Sequence, residues 1–143
     1  MLKIDNNKKI VFDMKEWLRI EGDSGPFIQY SYARINSLCK KLNHSQGAFD
    51  YSLLTHSSER KLMQALMQFH TVVLKSAEDY KPSLLCTYLF DLAQRFNHFY
   101  HECPIGQAGT ESLKKSRLAL SEATGLVLKK GLELLGIPAP ERM

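Results

Sequence analysis

Phe27, Tyr30 and Arg34 are spaced to share one face of a helix, in the run GDSGPFIQYSYARINSLCKKL from Gly22 to Leu42. At about 100° per residue they group with Ser37 and Lys41, away from a narrow stripe of Ile28, Tyr32, Ile35, Cys39 and Leu42. The stripe is the candidate core face, and Phe27 lies nearest the boundary between the two. Rings and a guanidinium outside a core offer flat surfaces and a planar cation, the chemistry that meets an unstacked base or a phosphate. The competing reading has the two rings packed on the preceding segment, Trp17 included, with Arg34 a solvated surface charge.

Other reactive side chains form no recognisable machinery. There is no glycine-rich phosphate loop, no G-x-S-x-G elbow and no H-E-x-x-H pair. His98, His101 and Cys103 are close in sequence, but zinc would need a fourth ligand and a second shell, so solvent-facing histidines at a helix end are expected. Asp91 and Glu102 show no pairing suited to acid–base work. On its residues alone the chain is a binding module.

The elements that must position these residues follow from composition and periodicity. The 143 residues suffice for one domain, and 44% apolar with 24% charged residues is a globular balance. A formal charge of +4 is compatible with an anionic partner such as RNA, and equally with ordinary surface charge. No apolar run approaches the ~18 residues of a membrane-spanning helix. The opening MLKIDNNKKIVF has no secretory pattern. Three cysteines at no framework spacing suggest reduced thiols in the cytosol.

Residues 3–20 begin irregularly, with two helical turns capped by Asp13. A long helix is expected from about Ser24, which caps it, with Pro26 in its first turn. Asn43 to His56 reads as a polar connector containing Gly47. A second helix from near Ser57 carries Leu62, Leu66, Phe69, Val73 and Ala77, and ends at Pro82. Pro82 then starts a third helix with Leu85, Leu89, Leu92, Phe96, Phe99 and Cys103 buried. A fourth helix runs from about Thr110 to Leu135. Leu113, Leu120, Val127 and Leu134 mark one side of it, and Leu118, Gly125 and Leu132 the other, the signature of a central helix. Gly125 and Gly131 suggest close backbone packing, and Gly136 with Pro138 stops the helix. No strand pattern of any length is present. The predicted fold is all-α, a bundle of about four long helices plus short ones.

GDSGPFIQYSYAR resembles the helix that opens the anticodon-binding domain of arginyl-tRNA synthetases, whose pattern is Gly-Asp-Thr-Gly-Pro-aromatic-x-Gln-Tyr-x-x-x-Arg. LFDLAQRFNHFYHECPI is similar to a later helix of that domain, and RLALSEATGLVLKKGLELLGIPAPERM to its closing helix and terminal P-x-R-M. These three motifs occur in order and cover nearly the whole chain. Phe27 stands where the family has Tyr and lacks its hydroxyl, and Ser24 replaces Thr. FDLAQR stands where the family's Asp-Ala-Leu-Arg signature falls, so the literal tetrapeptide is missing.

The resemblance implies a class I synthetase anticodon-binding fold over residues 22–143. Residues 1–21 would then be the remnant of a linker from a catalytic domain that is missing here. The full enzyme joins arginine to its tRNA with ATP and magnesium, in the cytoplasm, as a monomer. Its His-Ile-Gly-His and Lys-Met-Ser-Lys-Ser signatures do not occur in this chain, which on this reading needs no cofactor of its own. The implied partners are arginine tRNA and the catalytic domain in cis. Carried over position by position, the anticodon contacts are Phe27, Tyr30, Arg34, Tyr100 and Met143. Tyr100 also sits on the apolar side of its helix, where a core tyrosine would lie. Gly22, Gly25 and Gln29 would shape the loop rather than touch RNA. Every arginine codon has G in the middle, so the matching anticodons share a middle C, and one pocket for that base is the economical expectation. Three alternatives stay open. They are the related domain of the glycyl-tRNA synthetase beta subunit, a helical protein–protein adaptor, and a stand-alone RNA-binding protein of this fold. The LLGIPAPERM ending argues for the arginine enzyme over the glycine one.

Overall fold

The structure is a computed structural model and describes residues 25–42 and 49–143. Expectations for residues 1–21, Asp13, Trp17, Gly22, Ser24 and Gly47 lie outside the described residues. Among the described residues, five α-helices and one short 3-10 turn follow in order: α1 Gly25–Lys41, the turn Tyr51–Leu53, α2 Ser57–Met67, α3 Phe69–Glu78, α4 Pro82–Glu102 and α5 Glu111–Leu134. Among the described residues there is no strand. The all-α bundle is as expected, with one of its four rods broken in two.

The break falls at Gln68, which ends α2 and precedes α3. Periodicity predicted one helix through both, because the apolar spacing carries straight across. The cause lies on another element. The Tyr88 hydroxyl of α4 donates to the Ala65 carbonyl at 2.9 Å, and the Gln68 N–H turns back to the same carbonyl at 3.1 Å. A carbonyl claimed in this way tightens the local ladder and bends the helix. Burial, helped by the Asp91 charge, pushes the Tyr88 phenol up to about 12, so it stays a donor.

The centre of the bundle is α4, which packs on all four other helices. Leu89, Leu92, Ala93, Phe96 and Phe99 are fully buried. The expectation that the last helix is central is met only in part. Leu118, Leu120, Gly125 and Leu132 of α5 are buried, whereas Leu134 is 61% exposed on the outward side of the helix, although Leu132 before it is buried and Leu135 after it packs on the core. The two glycines do mark close approaches. A Cβ on Gly125 would stand 2.9 Å from the Ile35 Cγ2 atom, and one on Gly131 would collide with the Leu89 side chain. The connector is not wholly polar either, since Leu54 is buried in the core.

Helix ends follow local chemistry. α2 starts with His56 Nδ1 accepting from the Ser58 N–H at 3.3 Å, while Glu59 accepts from the His56 N–H at 2.8 Å. α4 starts at Pro82 and α5 is capped by Thr110, both as expected. At the end of α5, Gly136 takes φ +71°. The Ile137 N–H then reaches Leu132 O at 2.9 Å and the Gly136 N–H reaches Glu133 O at 3.0 Å. This left-handed cap reverses the chain and sends its last residues back toward α1. The cysteines are free thiols, and burial pushes those of Cys39 and Cys86 up.

Candidate nucleic-acid interface

The returning tail is fastened to the polar face of α1. Gln29 Nε2 donates to Pro138 O at 2.7 Å, and Asn36 Nδ2 donates to Glu141 O at 3.1 Å. Lys40 Nζ pairs with the Glu141 carboxylate at 2.7 Å. Tail, α1 and the far end of α4 thereby enclose a cleft of about 480 Å³. Tyr30, Arg34 and Lys41 line it from α1, Tyr100 from α4, and Arg142 and Met143 from the tail.

Arg34 is the centre of the cleft wall. Its guanidinium carbon lies 4.8 Å from the Tyr30 ring centroid and 5.6 Å from that of Tyr100. Rings at this range attract a cation through their quadrupoles. The Nη1 group donates to Asn97 Oδ1 at 2.9 Å and Nη2 to the Tyr30 hydroxyl at 3.3 Å. Asn97 in turn donates from Nδ2 to Ser31 Oγ at 3.0 Å, and the buried Ser31 hydroxyl donates to Phe27 O at 3.0 Å. Tyr100 rests on Phe96, with ring centroids 6.1 Å apart, and is 37% exposed. One side of its ring is backed by the core and the rest is open to the cleft, between the core position that periodicity indicates and full exposure.

Four of the five residues named from sequence therefore meet: Tyr30, Arg34, Tyr100 and Met143. Phe27 does not join them. Its ring packs on Phe90, centroids 5.1 Å apart, against the core cluster. The expectation that this ring faces away from the core is corrected on that ground. As the residue nearest the boundary of the stripe, it had only a small rotation to make. Asn97 and Arg142 were not singled out. Asn97 lies three residues before Tyr100, a spacing that shares a helix face and was the available signal.

His98, His101 and Cys103 do not come together. Cys103 is buried and lies 3.4 Å from Ser58 Oγ, while His98 and His101 are exposed. Among the described residues, no group of three His, Cys, Asp or Glu side chains stands ready to hold a metal. Asp91 is paired with Arg95 at 2.6 Å.

The tail clamp is pH-sensitive with a definite sign. Hydrogen bonding and charge attraction from Lys40 hold the Glu141 carboxyl below its ordinary value of 4.5. A lowered acid stabilises the docked tail above that ordinary value, and the contribution disappears as pH falls through the folded one. A carboxyl NMR titration of Glu141 should give a midpoint below 4.5, moving back up in Lys40→Met. An identical midpoint in both proteins would show that the pair is not formed in solution.

Helices arranged in this way, with a cationic and aromatic cleft at one end, match a known domain. The family model described as the DALR anticodon binding domain fits residues 28–143. The chain belongs to that family. The arginine–tRNA ligase of Bdellovibrio bacteriovorus is 60% identical over 144 residues, covering 100% of this chain and 25% of that protein. The Clostridium acetobutylicum arginine–tRNA ligase is 39% identical over 142 residues, again covering 25% of that protein and 99% of this chain. The solved structure of Thermus thermophilus arginyl-tRNA synthetase superposes with TM-score 0.90 at 38% identity, covering 99% of this chain and 25% of that one. This chain spans about a quarter of the length of the curated relatives it matches. The family membership holds although the literal Asp-Ala-Leu-Arg is absent, because core spacing and not one tetrapeptide defines the helices.

Proposed function

We propose that this chain recognises the anticodon loop of arginine tRNA, as the anticodon-binding domain of an arginine–tRNA ligase. The observation that carries the reading is Arg34, held between two partly exposed tyrosines in a cleft whose other charged lining residues are Lys41 and Arg142. Splayed loop bases stack on such rings, and the cations neutralise the backbone. An adaptor would bury an aliphatic patch; this cleft offers tyrosines ringed by cations instead.

In this reading Tyr30, Arg34, Tyr100 and Met143 touch the loop, and Phe27 supports α1 from behind. Residues 22–143 form the recognition domain and residues 1–21 lead into it. Arginine activation with ATP and magnesium belongs to the remainder of the longer protein, which acts on the same tRNA in the cytoplasm as a monomer. Among the described residues, no helix is long and apolar enough to cross a membrane.

The test is a titration of the chain at low salt with arginine tRNA, beside a transcript whose middle anticodon C is changed to G. A preference for C is expected. Tyr30→Ala should remove most of it, since stacking on one ring is worth ~1–3 kcal/mol per base. Equal binding of both transcripts would reduce the interaction to charge attraction. No binding by the folded chain, even with the rest of a ligase added in trans, would favour the adaptor.

A further inference from the structure

We infer that Asn97 is a positioning residue for base discrimination: together with the Tyr30 hydroxyl, it fixes the directions in which the Arg34 guanidinium presents its N–H groups. The inference rests on the cleft being the RNA site and goes beyond it. The ring contacts hold the guanidinium near both tyrosines, and the directions of its N–H groups are left to its hydrogen bonds with Asn97 and the Tyr30 hydroxyl. An arginine without those fixed directions would still attract any phosphate, and so would bind without reading sequence. Reading a base edge needs N–H groups at fixed angles.

Asn97 supplies the angle because its own amide has only one consistent orientation. Ser31 gives its proton to Phe27 O, so its oxygen is left to accept from Asn97 Nδ2 at 3.0 Å. Asn97 Oδ1 then faces Arg34 Nη1 at 2.9 Å. Flipping the amide would set two donors against each other at Arg34 and strand an acceptor beside Ser31. The chain of bonds therefore runs from a backbone carbonyl of α1, through α4, and back to Arg34 on α1. Arg34 spends two donors, one on Asn97 and one on Tyr30. A guanidinium has five, so three remain with their directions set.

Asn97→Ala and Asn97→Asp separate positioning from mere packing. Asp keeps the acceptor facing Arg34, and Ala removes it. In the titration with C and G transcripts, Asn97→Ala should lose about tenfold of the preference for C, the usual worth of one charge-assisted bond, while affinity for the G transcript stays unchanged. Asn97→Asp should retain the preference. In parallel, the Arg34 Nη protons should give separate NMR signals in the unmodified chain and in Asn97→Asp, and one averaged signal in Asn97→Ala. Full preference in Asn97→Ala, equal loss in both variants, or an Arg34 spectrum unmoved by Asn97→Ala would each overturn the assignment. If the unmodified chain itself shows no preference, the functional reading fails, and the NMR comparison still decides whether Asn97 orients Arg34.

Discussion

Replacing Arg34 with alanine is expected to weaken binding of arginine tRNA by ~10- to 100-fold at low salt, the equivalent of ~1.5–3 kcal/mol for hydrogen bonds made by a charged group. The loss should exceed that of any other single side chain in the cleft, because Arg34 links both walls. Its removal takes the donor from Asn97 Oδ1 and leaves Tyr30 and Tyr100 without the cation between them. Arg34→Lys is the informative companion. It keeps the charge but lacks the planar fork, so it should restore the salt-dependent part of the affinity and little of the preference for the middle C. If Arg34→Lys restored the preference fully, a point charge would suffice and the edge-reading role of Arg34 would be refuted. Both variants should melt close to the unmodified chain, since the guanidinium faces the cleft and not the core.

The largest stability effect is expected far from the cleft. Glu59 is 1% exposed and pairs with Arg117 Nε at 2.7 Å, across the α2–α5 contact. Its second oxygen accepts from the His56 N–H at 2.8 Å, closing the start of α2, and Arg117 Nη1 also reaches Pro104 O at 3.4 Å. One carboxylate thus joins a helix cap to a second helix and, through Arg117, to the loop after α4. Removing one partner of a buried pair leaves the other's charge uncompensated, at a cost of ~3–5 kcal/mol. Arg117→Ala should cost the most, because Glu59 is the more deeply buried partner; Glu59→Ala should cost slightly less, with the cap lost as well. Urea denaturation of both single variants and of Glu59→Met with Arg117→Met measures this. The double variant should recover most of the loss, since well-packed apolar groups need no partner. A loss below ~1 kcal/mol in Arg117→Ala would put the pair in the class of solvent-exposed bridges.

Much of this was legible in advance for identifiable reasons. The core stripe of α1 is a 3.6-residue repeat, and Ile28, Tyr32 and Ile35 are buried where it placed them. Pro82, Thr110 and Gly136 acted through local backbone chemistry, which depends only on neighbours in sequence. Tyr30 and Arg34 were identifiable because they interrupt the apolar pattern on the opposite face. The break at Gln68 was not legible: no glycine or proline marks it, and its cause is the Tyr88 hydroxyl, 23 residues from the Ala65 carbonyl that it claims. The packing of Phe27 was equally hidden, because its partner Phe90 belongs to a different helix.

The sequence alone, then, determined most of the helices and most of their ends, because periodicity, capping and turn propensity act over a few neighbouring residues. Only the tertiary structure decided that α4 is central, that Phe27 turns inward, and that Asn97 ties α4 to Arg34. It also decided that the tail closes the cleft, which depends on bonds between residues more than 100 positions apart in sequence. Such contacts are chosen by which surfaces meet when helices pack, and a single sequence does not display that choice.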